Sequence, residues 1–143
     1  MLSLTTLFAS ILLGSMVFFS GIVAPSIFRS MDDEKALIYT RYLFPKYYLW
    51  CIAVSALALI FSLIGKSYLA IPLGIILLGF GYGRQILLPK ISEAKDQWLS
   101  SDSPHDKARY KSLHKRSVII NGFQMIFLLF IVVANQVLYP PQL

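Results

Sequence analysis

The chain is short of charge, has a single cysteine, and carries no Asp or Glu inside its long apolar runs. Each shortage excludes something. Only 14% of the 143 residues are charged and 57% are hydrophobic, whereas a soluble domain carries about a quarter charged residues. A domain this small has too little interior to hide that much apolar surface from water. The lone cysteine, Cys51, lies in an apolar run and cannot close an intramolecular disulfide, so it reports no redox compartment. There is no zinc-ligand spacing, no glycine-rich phosphate loop and no nucleophile elbow. The lack of carboxylates at membrane depth argues against a carboxylate-driven proton pump. No metal and no cofactor are expected. Nucleic acid is not an expected partner either, because the basic residues flank apolar runs instead of forming a soluble basic face.

What is present is a series of four apolar runs, over about 2–28, 46–65, 67–88 and 117–138. A helix needs roughly 20 apolar residues to cross about 30 Å of hydrocarbon. Lipid leaves no partner for exposed backbone, and no strand-length alternation is present. The expectation is an all-α, four-helix transmembrane bundle, forming one integral membrane domain over residues 1–143. The first run lacks a positive leader and is too long for a signal-peptide core, so it reads as a span.

Local punctuation refines this outline. Pro25 predicts a kink near the end of helix one. Asp32-Asp33-Glu34 places negative charge where a helix would begin. The mixed segment 35–44 reads as a short interfacial helix in loop 1, with Pro45 starting helix two. Gly65-Lys66-Ser67 forms a tight turn, Pro72 falls in the first turn of helix three, and Pro89 kinks its exit. Ser103-Pro104-His105-Asp106 is a helix start. Helices three and four are therefore expected to extend as a helical hairpin turning at Ser100-Ser101-Asp102, and Pro140-Pro141 closes helix four.

Orientation follows from the basic residues. Loop one holds four, loop three holds eight, and loop two holds only Lys66. Short loops rich in Lys and Arg stay cytoplasmic. Loops one and three are thus expected on the cytoplasmic side of a bacterial inner membrane, with both termini outside. Tyr42, Phe44, Tyr47, Tyr48 and Trp50 then mark the inner interface, and Tyr68 and Tyr139 the outer one.

The candidate site is polar. His114, Ser117, Asn121 and Gln124 recur at three, four and three, which puts them on one face of helix four. Two readings stand side by side: an interhelical hydrogen-bond stripe, or a polar cavity open to the cytoplasm. Arg84 either snorkels to headgroups or turns inward beside Gln85. Arg29 is expected at the same level, so Arg29, Arg84 and His114 form a candidate mouth. Gly79 and Gly83 form a small-xxx-small pair for close helix approach, and Ser10, Gly14 and Gly21 suggest a packing face on helix one. His105 reads as a solvated loop residue. Met16, Met31, Met125 and Cys51 are soft ligands in principle, but without clustered spacing they read as core.

Three stretches carry a family resemblance. They are FSGIVAPSIFRSMDDEKALIYTRYLFPKYY (19–48), GRQILLPKISEAKDQW (83–98) and LHKRSVIIN (113–121). Taken in order, they resemble the transmembrane-protein-205-like family, a bacterial and eukaryotic membrane domain of unknown function. The elements that carry over are Gly21, Phe28-Arg29, Leu43-Phe44-Pro45 with Tyr48, Arg84 with Pro89, and His114, Ser117 and Asn121. The resemblance implies a four-helix membrane bundle and little chemistry. The architecture is distantly similar to copper-resistance-type and haem-pathway membrane proteins, which use intramembrane histidines; this chain has none at mid-membrane.

Three functional expectations result. The first is a non-enzymatic transport-related or accessory bundle, with a polar pocket near the cytoplasmic face drawn from Arg29, Arg84, Gln85, His114, Ser117, Asn121 and Gln124. The second is a membrane redox or metal- or haem-handling enzyme using His114. The third is a scaffold that binds anionic lipids through Lys107, Arg109 and Lys111. The lipid bilayer is the expected partner, with anionic lipids or another membrane protein as further candidates.

Overall fold

A computed structural model describes residues 2–140, and the side chains of residues 4–140. Among these residues there are no strands. Helix α1 (Leu2–Phe18) widens into a π turn (Phe19–Val23) and continues as α2 (Ala24–Ser30). Helix α3 spans Asp33–Ile64. Helix α4 (Ala70–Tyr82) passes through a second π turn (Gly83–Leu87) into α5 (Leu88–Ser101). Helix α6 runs over Pro104–Leu138. The chain thus folds as four long rods, each long and apolar enough to cross a membrane. Large apolar side chains face outward along them, including Ile71, Leu78, Phe130 and Val137, each at least 70% exposed. In water such surfaces would aggregate; against lipid they are already solvated.

The helix starts follow the sequence. Asp32 caps α3, its side chain accepting from the Lys35 amide at 2.9 Å. Ser103 caps α6, accepting from the His105 amide at 3.2 Å, with Pro104 in the first turn. The Ser67 hydroxyl accepts from the Leu69 amide just ahead of α4. Lys66, at φ 51°, takes the left-handed position of the α3–α4 turn. The Ser67 amide reaches back to the Ser62 carbonyl there at 2.9 Å, the bond that closes a Schellman motif. Asp102, also at φ 51°, does the same service between α5 and α6. Of the Pro140-Pro141 stop, Pro141 lies outside the described residues, and α6 ends at Leu138.

Prolines behave in two ways. Pro25 and Pro89 each follow a π turn. In the two turns the Ala24 amide bonds the Phe19 carbonyl, and the Leu88 amide bonds the Gly83 carbonyl. The wider turn makes room for a ring that would otherwise meet the carbonyl four residues back. The irregularity in the first rod therefore begins a turn and more before Pro25. Pro45, by contrast, sits inside an unbroken α-helix and does not start one. The segment 35–44, read as a separate interfacial helix, is the first third of α3. Tertiary contacts overrule the proline: Arg41 and Asp33, on the near side of Pro45, are both tied to α5.

The core runs down the middle of the bundle. Ala9, Leu12 and Met16 from α1 meet Cys51, Val54 and Ala58 from α3, Leu73, Ile76 and Phe80 from α4, and Leu128 and Ile131 from α6. Met16 and Cys51 are fully buried, Met125 packs against the same core, and Met31 caps α2. Met16, Cys51 and Met125 are dispersed through the core, as filler is, and Met31 lies outside it. Helix α1 packs on α3 and α6, α3 on α4, and α5 on α6. An aromatic chain links the rods: Phe19 stacks on Tyr47 at 3.8 Å and meets Phe44 edge-on at 5.2 Å, and Tyr48 meets Phe80 edge-on at 6.2 Å.

Candidate functional site

A cavity of about 250 Å³ opens at the charged end of the bundle. Its longest wall is α3, which contributes Asp33, Ala36, Leu37, Thr40, Arg41, Phe44, Pro45 and Tyr48. Those positions recur every three or four residues, so they form one continuous helical stripe. The second wall is Arg84 from the π turn, with Leu88, Ile91, Ser92 and Lys95 from α5. The third is Tyr110, His114 and Ser117 from α6, and Phe28 from α2 completes the enclosure. Phe44 and Tyr48 belong to the aromatic chain, which closes the cavity toward the core.

Polar contacts hold this frame. The Arg41 guanidinium donates to the Ser92 hydroxyl at 2.6 Å and to the Ser92 carbonyl at 3.2 Å, and pairs with Asp96. The Lys95 ammonium lies 3.4 Å from the Asp33 carboxylate. It also sits over the rings of Trp98, at 4.2 Å, and Tyr110, at 4.7 Å. Its side chain is only 8% exposed, so this lysine is a buried cation held by one carboxylate and two aromatic faces. Tyr110 stacks between Trp98 and His114, and His114 meets Phe28 edge-on at 6.3 Å. The Thr40 hydroxyl is turned back onto its own helix, donating to the Ala36 carbonyl at 2.8 Å. The Arg84 Nε points to the Pro45 carbonyl at 3.4 Å.

The sequence-marked residues separate into groups. Arg84, His114 and Ser117 come together at the cavity. Asn121 and Gln124 do not reach it. The Asn121 amide donates to the Ser20 hydroxyl at 2.9 Å, tying α6 to the first π turn. The buried Gln124 amide donates to the Ile76 carbonyl of α4 at 3.1 Å. Arg29 and Gln85 are exposed and lie outside the cavity wall. Gly79 and Gly83 make room for side chains: a Cβ at Gly79 would stand 2.7 Å from the Gln124 amide, and one at Gly83 2.6 Å from the Tyr48 ring. Gly14 and Gly21 have nothing within 4 Å of such a Cβ, and both are exposed.

Several cavity residues carried no mark in the sequence. Lys95, Arg41 and Asp33 counted in the sequence only as charges on helical segments outside the spans: the extension of helix three, the interfacial helix over 35–44, and the helix start at Asp32-Asp33-Glu34. The signal was the helical stripe itself. It becomes visible only when α3 is taken as continuous through Pro45 and α5 as continuous with α4. Among the described residues no three His, Cys, Asp or Glu side chains gather as a metal site.

Comparison with known proteins adds a family and no activity. No curated protein and no solved structure matches the chain. The finding does not name a transmembrane-protein-205-like group. It covers α1 to most of α5, and so includes Arg41, Arg84, Ser92 and Lys95 but not the α6 wall. Residues 7–98 match DUF4149, a domain of unknown function, and the chain belongs to that family.

Proposed function

We propose that this protein is a transport-related or accessory membrane bundle that takes a small ligand in the cavity at its charged end. The observation that carries the reading is the cavity itself. All four rods supply its wall, and apolar surface is combined there with a few oriented polar groups, the usual make-up of a small-molecule site. The π turn at Gly83–Leu87 supports it, since such turns recur at functional sites. Twelve of the thirteen Lys and Arg residues cluster on the loop one and loop three side. That distribution favours a cytoplasmic cavity mouth in an inner membrane, with both termini outside. The motifs around Arg29, Pro45, Arg84 and His114 further support a kinship with transmembrane-protein-205-like proteins.

A thermal-stability screen tests the reading. Purified full-length protein is heated with a panel of small metabolites, alongside a Leu88→Trp variant that fills the cavity. A compound that raises Tm in the parent and not in the variant is the expected result. A panel in which every compound acts equally on both proteins removes the reading. Orientation is checked separately in a Cys51→Ser background, with single cysteines at Lys66 and Ser101. An impermeant maleimide added to intact cells is expected to label the first and spare the second.

A further inference from the structure

The three cations in the cavity wall are differently placed. Arg41 is matched by Asp96 and Lys95 by Asp33. Arg84 has no carboxylate within ion-pair distance among the described residues. Its hydrogen bond is a long one, 3.4 Å, to the neutral carbonyl of Pro45. A guanidinium carries five N–H donors in a flat fork suited to two oxygens of a carboxylate or phosphate. One long bond leaves most of that fork free to meet a ligand, in a half-buried position on the cavity wall.

The rest of the wall has a different character. Leu37, Phe44, Leu88 and Ile91 offer apolar surface, and the Thr40 and Ser92 hydroxyls are already engaged by their own helix and by Arg41. A bare inorganic anion would satisfy Arg84 and leave this surface uncovered. A purely apolar ligand would cover the surface and strand the guanidinium. The cavity, about 250 Å³, has room for more than a single small ion. That holds a head group and a short apolar chain.

We propose that the cavity binds an amphiphile with an anionic head, carboxylate or phosphate, its head on Arg84 and its apolar body along Phe44, Leu88 and Ile91. The proposal rests on the reading of the cavity as a ligand site and names the ligand's class. The second π turn has a clear part in it. It carries Arg84 on the same rod as Leu88 and Ile91, so that rod meets the head and one side of the body while Phe44 of α3 meets the other.

The test uses the full-length protein in phosphatidylcholine nanodiscs. Octanoate, octyl phosphate, octanol, octylammonium, acetate and inorganic phosphate are titrated by calorimetry. Octanoate and octyl phosphate are expected to bind one to one, about tenfold or more tighter than octanol and than acetate or phosphate. Arg84→Gln should remove the advantage over octanol while leaving octanol binding in place, and Arg84→Lys should retain part of it. Ile91→Trp should weaken octanoate and octanol alike. If octanol or octylammonium binds as well as octanoate, and Ile91→Trp abolishes that binding, the cavity reading survives and the anionic assignment falls. If no probe responds to Ile91→Trp, both fall. Unchanged octanoate binding in a folded Arg84→Gln protein also overturns the assignment. Native mass spectrometry from mixed phosphatidylcholine and phosphatidylglycerol separates the sources. A phosphatidylglycerol retained by the parent and lost in Arg84→Gln points to a lipid head; octanoate binding without such retention points to a free anion.

Discussion

His114 and Ser117 face a cavity, where Ser117 also meets the Tyr48 hydroxyl of α3, whereas Asn121 and Gln124, further into the bundle along the same stripe of α6, reach no cavity and are bonded to other helices. The four residues are alike in polarity and continuous in spacing. They differ in what stands opposite. At the charged end, α3, α5 and α6 border a space, with α3 and α5 tied across one side of it by the Arg41 and Lys95 contacts. Deeper in, the helices close, and each amide meets an acceptor on a neighbour. The stripe continues past them through Leu128 and Ile131 to Asn135, which bonds Thr6 near the opposite end. A single polar face thus serves a cavity at one end and helix-to-helix bonding elsewhere. In lipid, burial of apolar surface does not drive helices together, so those bonds and close packing do.

Substitutions in the two regions are expected to separate accordingly. The largest effect is expected where the second π turn and α3 touch at the cavity floor. Gly83→Ala puts a carbon 2.6 Å from the Tyr48 ring, and a ring moves less freely than a chain end. Overpacking of this kind costs about 1–3 kcal/mol. It should appear as a lower unfolding midpoint in detergent, partly recovered by adding Tyr48→Leu.

Next comes the buried Lys95. Its partner Asp33 is 70% exposed, so the pair is asymmetric. Asp33→Ala strands an ammonium against two rings and should destabilise by about 1–3 kcal/mol, the range for an unsatisfied buried polar group. Lys95→Met returns Asp33 to water and should destabilise less. Equal losses in chemical denaturation would show that the pair is not the asymmetric one described.

Smaller effects test the interior stripe. Asn121→Leu and Gln124→Leu each remove an interhelical bond worth about 0.6 kcal/mol, and should lower stability without changing ligand response. Smallest of all on stability is His114→Gln, at within about 0.5 kcal/mol, yet it should alter binding of whatever compound the cavity-dependent screen returns. A stability loss at His114 well beyond that at Gln124, with compound binding unchanged, would break the comparison.

How much of this was legible beforehand differs by residue. The caps at Asp32 and Ser103 and the turns at Lys66 and Asp102 lie in short sequence signals, since each depends on contacts within a few residues. The extent of α3 did not, because Pro45 is a local stop signal that distant contacts from Arg41 and Asp33 override. With that helix cut short, the cavity's longest wall disappeared from view. His114 and Ser117 could be placed on one face with Asn121 and Gln124, but nothing local tells an amide with an acceptor from a hydroxyl beside a space.

The sequence by itself determined the four-rod membrane architecture, because span length and apolar composition answer to the thickness and dryness of lipid, and neither requires knowing a neighbour. It also determined which polar residues share the α6 face. The tertiary structure alone decided which of them are consumed in bonding and which border a cavity, and that Arg84 joins Lys95 and Arg41 there. Those outcomes depend on helix separation, set by residues such as Gly79 and Gly83 whose effect is the side chain they admit from another helix.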